Sequence, residues 1–173
     1  TDLKPETSNF YTLNAEYNTS FLSASVSVYQ NDIRNLIDYH RLELTDEDKA
    51  NGIISRQAYA NVGKARIRGV DVGFTAHPGA GFTFGASYNY THAKDLVADT
   101  PLERSVRHSA TFNAGWGRTW GIYTLDVSLF GRYQGTRWSE VYDSSPAFQT
   151  WDLTTRHVIR LKDFTLEPGL GVE

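Results

Sequence analysis

The 173 residues contain no cysteine and no methionine. They also hold nothing close to the roughly 20 consecutive apolar residues of a membrane-crossing helix. Without thiols there is no disulfide framework, no thiolate metal site and no cysteine nucleophile, although that absence says little about the compartment. A formal net charge of -3 and a pI near 5.9 leave no basic footprint for nucleic acid. The mean hydropathy of -0.44 does not exclude a membrane, because a spanning strand needs only about 9 to 11 residues, every second one apolar. No charged-then-apolar leader precedes Thr1-Asp2-Leu3, so the chain reads as a piece of a longer one.

What is present is aromatic (13%) and glycine-containing (14 Gly), as in all-β proteins. The organising stretch is a hairpin from Tyr59 to Tyr90 with a tight break at His77-Pro-Gly-Ala-Gly81. Phe82, Phe84, Ala86, Tyr88 and Tyr90 alternate with Thr83, Gly85, Ser87 and Asn89, while Val70, Val72, Phe74 and Ala76 alternate with Gly69, Asp71, Gly73 and Thr75. Only a strand turns a period of two into two unlike faces. The same pattern predicts strands over about Asn9–Tyr17, from Leu22 through Tyr39, over Ser109–Trp116, Tyr123–Tyr133 and Phe148–Leu161, and from Phe164 onward, where the pattern stops midway at Glu173. Long connections are expected at His40–Gln57, Lys94–Arg104 and Gly135–Pro146, and tight turns at Asn18–Ser20, Gly117–Gly121 and Lys162-Asp163.

Short and long connections therefore alternate, which places tight turns at one end of the strands and extended loops at the other. Tyr17, Phe21, Phe74, Phe82, Trp116, Trp120, Tyr123 and Phe164 gather near the tight turns as one aromatic girdle, with Tyr88, Tyr90, Tyr133 and Trp138 as candidates for a second. The small polar face carries one acid or amide per strand: Glu16, Asn31, Asp71, Asn89, Asn113, Asp126, Asp152 and Glu167. Backbone groups in hydrocarbon must all be satisfied internally, so such strands are viable only in a closed sheet whose polar face lines the lumen. The fold class expected is all-β: an antiparallel transmembrane β-barrel segment of about eight strands with meander connectivity. A soluble sandwich also alternates, but would oppose two apolar faces and would not sort its loops by length.

Four stretches resemble the C-terminal part of the barrel of TonB-dependent outer-membrane receptors. They are Leu3-Lys-Pro-Glu-Thr-Ser8 before a strand, Val28-Tyr-Gln-Asn-Asp-Ile-Arg-Asn-Leu-Ile37, Tyr59-Ala-Asn-Val-Gly-Lys-Ala-Arg-Ile-Arg-Gly-Val-Asp71 and Tyr88-Asn-Tyr-Thr-His-Ala-Lys-Asp95. The third is the most specific, with its Asn-Val motif, basic-Ala pair and Gly-hydrophobic-acid triplet. Arg107-His108 is similar to a Pro-x-His feature of the family, with Val106 where Pro is common. The resemblance implies that all of residues 1–173 belong to one barrel domain in the outer membrane of a Gram-negative bacterium. It further implies 22 strands in the whole barrel, a plug domain and the remaining strands outside this chain, coupling to the TonB complex through the absent N-terminal region, and import of a scarce small molecule such as a siderophore, haem or cobalamin. A passive pore or a small eight-stranded structural barrel is the alternative.

Catalytic and metal chemistry find little support. His40, His77, His92, His108 and His157 are scattered, although His92 and His108 lie near the long-loop ends of neighbouring strands. There is no G-x-S-x-G elbow, and Glu43, Asp46, Glu47 and Asp48 lack the spacing of a calcium loop. No enzyme activity, cofactor or metal is expected. Candidate ligand contacts are the aromatic and basic residues of the long connections, Tyr39, His40, Arg56, Arg137, Trp138 and Tyr142. The expected partners are outer-membrane lipid, the plug, the TonB complex and a small ligand, with no nucleic acid.

Overall fold

The computed structural model describes residues 3–139 and 143–173, with backbone alone at 38–41 and 62. Nine strands form one sheet: β1 (Thr7–Asn18), β2 (Leu22–Leu42), β3 (Arg56–Gly79), β4 (Phe82–Asp95), β5 (His108–Trp120), β6 (Tyr123–Gln134), β7 (Phe148–Arg160), β8 (Thr165–Leu166) and β9 (Gly169–Val172). A short helix, α1 (Asp46–Ala50), lies in the β2–β3 connection. Each strand from β1 to β7 pairs antiparallel with the next in the chain, and β8 and β9 both pair with β7. Among the described residues no pairing joins β1 to β8 or β9, so the sheet is open and does not form a closed eight-stranded barrel.

The register sorts the side chains. Ala86, Phe112, Gly131 and Trp151 form one row across β4 to β7, and Ser87, Thr111, Arg132 and Thr150 form the next row on the opposite face. Leu125, Val127 and Leu129 share the apolar face, while Asp126, Ser128 and Arg132 share the polar one, as their alternation predicts. Two residues of β6 depart from it. Phe130 falls on the polar face between Asn113 and Asp152, and Gly131 takes its place on the apolar side, where the Trp151 ring lies within 2.5 Å of where a Cβ would stand.

Nothing packs over the apolar face. Leu13, Val72, Phe74, Trp151 and Leu153 remain 72%, 46%, 44%, 49% and 47% exposed, and among the described residues the buried apolar side chains are Ile33, Ala65, Ala93 and Val158. A soluble sandwich would cover such a surface with a second sheet, whereas hydrocarbon solvates it as it stands. The aromatics bound this face. Near the tight turns Phe82, Trp116, Trp120, Tyr123 and His157 form a chain of rings with neighbouring centroids 5.8–6.3 Å apart. At the other end Tyr88 and Tyr90 both pack on His108, whose Nδ1 is 2.7 Å from the Tyr88 hydroxyl. Eight residues of β4 separate Phe82 from Tyr90, about 21 Å at a rise of about 3.4 Å and a tilt of about 40°, which matches an apolar band of about 25 Å.

Several expected boundaries are corrected. β2 runs three residues beyond the expected Tyr39, to Leu42, and β3 begins at Arg56, three residues before Tyr59, leaving residues 43–55 between them, part of which is helical. Within the two strands a bulge at Asn35 (φ 55) and Gly63 (φ 120) absorbs a register shift. Gly117–Trp120 is strand, and the turn is only Gly121-Ile122, with Gly121 at φ 56. His77, Pro78 and Gly79 likewise stay in β3, bulged against Phe82. The eighth strand is split at Glu167-Pro168, because Pro168 has no N–H to donate and only accepts, from the His157 N–H at 2.9 Å.

Candidate functional site

The long connections lie at one end of the strands, and two of them are tied together. In the β6–β7 connection (residues 135–147) Arg137 bridges to Val106 of the β4–β5 connection and to Ser145 of its own. The Trp138 N–H donates to the Ser105 carbonyl at 3.0 Å, the Arg104 N–H donates to the Trp138 carbonyl at 2.9 Å, and the Ser139 hydroxyl donates to the Glu103 carboxylate at 2.5 Å. The result is a platform of two loops that presents Arg137 exposed and Trp138 half-buried. Trp138 is held in this platform through its backbone N–H and carbonyl.

The β2–β3 connection is organised separately. Thr45 and Asp48 form a reciprocal capping box at the start of α1: the Thr45 hydroxyl accepts from the Asp48 N–H at 3.2 Å, and Asp48 accepts from the Thr45 N–H at 2.9 Å. The Arg56 guanidinium closes on Asp48 at 3.0 Å, so Arg56 secures this loop. Donation from the Thr45 hydroxyl and N–H, joined by Arg56, holds the buried Asp48 carboxyl below the ordinary carboxylate range. Asp46, Glu47 and Asp48 are thus the acidic first turn of a helix. The signature Thr45-x-x-Asp48 was present in the sequence and identifies the turn that periodicity missed.

Of the other ligand candidates, Tyr39 and His40 pair through their backbones with Tyr59 and Ala58, and their side chains lie outside the description. Tyr142 lies outside the described residues. His92 and His108 come from adjacent strands, but among the described residues no three His, Cys, Asp or Glu side chains converge as a metal ion would require.

Below this end the polar face carries several hydrogen-bonded groups. Tyr29, Thr91, Asn89 and Asp71 form one chain: Tyr29 Oη lies 2.9 Å from Thr91 Oγ1, Thr91 donates to Asn89 at 3.0 Å, and Asn89 donates to Asp71. Arg156 donates to Glu167 at 2.7 Å and reaches Asp126 at 3.9 Å. Ser87 and Thr111 meet at 2.7 Å, and with Ser23, Ser25, Gly73, Thr75 and Asn113 they line a shallow trough of about 280 Å³. Asn31, Asp71, Asn89, Asn113, Asp126, Asp152, Glu16 and Glu167 all fall on this face by register or contact. The Asn31 Oδ1 is buried with no hydrogen-bond partner among the described residues.

The family model for the "TonB dependent receptor-like, beta-barrel" matches residues 1–170. Among solved structures, the copper transporter OprC superposes with a TM-score of 0.77 at 20% identity over 97% of this chain and 25% of its own. BauA, the ferric preacinetobactin receptor from Acinetobacter baumannii, gives 0.68 at 14% identity over 94% and 24%. A mutant of the ferric enterobactin receptor PfeA from Pseudomonas aeruginosa gives 0.69 at 20% identity over 96% and 25%. The chain spans about a quarter of the length of the structures it matches. At these identities the superpositions establish the fold, and the match over residues 1–170 establishes the family: the chain belongs to the TonB-dependent receptor-like β-barrels.

Proposed function

We propose that this chain is one arc of an outer-membrane import receptor, with its apolar face against lipid, its polar face toward a plug domain, and its long loops on the ligand side. No bond is made or broken in that role. The work is selective capture followed by passage, energised through TonB contacts that lie outside these residues. The observation that carries the reading is the pairing of an exposed cation with a half-buried indole, Arg137 and Trp138, on a two-loop platform above a polar-faced wall. Stacking area beside a guanidinium is the combination that binding hot spots favour. The polar face supports it, since linked acids and amides are partners for the backbone and side chains of a plug, with Asn31 Oδ1 still to be satisfied. The cargo is a small metal-bearing or metal-chelating molecule, a class that spans the copper, ferric preacinetobactin and ferric enterobactin named for the matching structures.

The test uses the full-length receptor. Arg137→Ala with Trp138→Ala should weaken cargo binding by calorimetry without lowering the amount of folded barrel, and Pro78→Ala in a tight-turn region should leave affinity intact. Affinity unchanged by the loop pair and lost with Pro78→Ala would place the ligand at the wrong end.

A further inference from the structure

The two faces of the sheet exchange character just beyond Tyr90. Up to that level the outward positions are apolar: Val28, Val70, Val72, Tyr88 and Tyr90. One step further toward the long loops the same outward rows hold Gln30, Arg68 and His92, then Asp32, Arg66 and Lys94, then Arg34 and Lys64. The inward face changes the other way, to Ile33, Ala65 and Ala93, which are 8%, 1% and 9% exposed. Cations on three adjacent strands therefore point away from the lumen, immediately above the lipid-facing band.

The charge balance there is unlike that of the chain. Among the described residues Arg34, Lys64, Arg66, Arg68 and Lys94 are accompanied by Asp32, bound to Arg66 at 2.6 Å, and Asp99, bound to Lys94 at 2.5 Å, in a sequence whose net charge is -3. Arg34, Lys64 and Arg68 are exposed and carry no ion pair among the described residues. Arg34 stands opposite Lys64 and Arg66 opposite Lys94, with Lys64, Arg66 and Arg68 at every second position of β3, so the cations form one cluster by register. A cluster serving cargo would sit on the loops or the lumenal face. This one is turned outward at the depth where lipid headgroups lie.

We propose that this outward basic cluster is a docking site for the phosphate groups of an anionic outer-leaflet lipid, whose acyl chains pack on Val28, Val70, Val72 and Tyr88 below. Charge complementarity selects the phosphate, guanidinium forks suit it, and continuity with the apolar band selects a lipid over a soluble anion. The proposal rests on the membrane reading above but not on the identity of the cargo.

The experiment is native mass spectrometry of the full-length receptor in neutral detergent, titrated with bisphosphorylated lipid A, with its dephosphorylated counterpart and with inorganic phosphate. Wild type should retain the bisphosphorylated lipid preferentially. Arg34→Gln with Arg68→Gln should weaken that retention about thirtyfold, from roughly a fivefold loss per surface cation removed. Arg118→Gln, at the tight-turn end, should leave it unchanged, and Arg34→Lys with Arg68→Lys should restore most of it. If the double glutamine variant loses heat-modifiable migration, Lys64→Gln with Arg68→Gln takes its place. Equal retention by variant and wild type, equal retention of the dephosphorylated lipid, or full competition by inorganic phosphate would each overturn the site. Cargo affinity of the same preparations should not change, so failure of the lipid site and failure of the transport reading register in different measurements.

Discussion

Replacing Val127 by Arg should destabilise the barrel far more than replacing its neighbour Ser128 by the same residue. Val127 stands four residues from Tyr123 and six from Tyr133 along β6, opposite Trp116 and Thr155. At about 3.4 Å per residue and a tilt of about 40° it lies roughly 10 Å above the Tyr123 row, close to the middle of a band of about 25 Å. A guanidinium facing lipid at that depth costs about 2 to 4 kcal/mol, a shift of about thirtyfold to nearly a thousandfold in the folding equilibrium. Ser128 lies between Gly115 and Thr154 on the polar face, where Arg meets water and polar groups, and its cost should stay within about 0.5 kcal/mol. Urea titration of the full-length receptor folded into vesicles, followed by tryptophan fluorescence and heat-modifiable migration, measures both. Equal losses, or a larger loss at Ser128, would refute the assignment of faces.

Gly131→Ala should cost about 1 to 3 kcal/mol, because its Cβ would stand 2.5 Å from the Trp151 ring, while Gly171→Ala, whose nearest neighbour is at 3.5 Å, should be close to neutral in the same titration. Thr45→Ala removes one half of the capping box and should raise amide exchange over residues 46–53 about fivefold without altering exchange in β4 to β7. Because the Asp48 pKa is depressed, its contribution to loop order is complete above the ordinary carboxylate range and is lost as pH falls through the lowered value; a carboxyl-carbon titration should show Thr45→Ala moving it back up. These residues alone, with open edges at β1 and at β7 to β9, should not give a cooperative melt in detergent, which circular dichroism would check.

Within the apolar band the fold was legible because lipid on one side and polar groups on the other impose a strict period of two, and from Val70 to Phe74 and Phe82 to Tyr90 every residue obeys it. Outside the band that constraint disappears. Beyond Gln30 and Arg68 the faces change character and the register shifts at Asn35 and Gly63, so alternation no longer marks where β2 ends, at Leu42, or where β3 begins, at Arg56. Phe130 and Gly131 read as a break in the pattern until Trp151, from the neighbouring strand, is seen over the glycine. Of the site, the residue types at Arg137 and Trp138 were legible and their setting was not. The bridge from Arg137 to Val106 joins segments far apart in sequence, which no local pattern encodes. Arg56 carried the reverse lesson, since its partner Asp48 lies only eight residues away and its place is in the capped loop.

The most direct test of the proposed orientation uses the absence of cysteine from this region. Thr136→Cys, exposed in the β6–β7 connection, and Lys162→Cys, in the tight turn after β7, are introduced separately into the full-length receptor and treated in intact cells with a membrane-impermeant maleimide. The account predicts rapid labelling at position 136, slowed by bound cargo, and labelling at position 162 only after the outer membrane is permeabilised. Labelling at 162 but not at 136 in intact cells would contradict it.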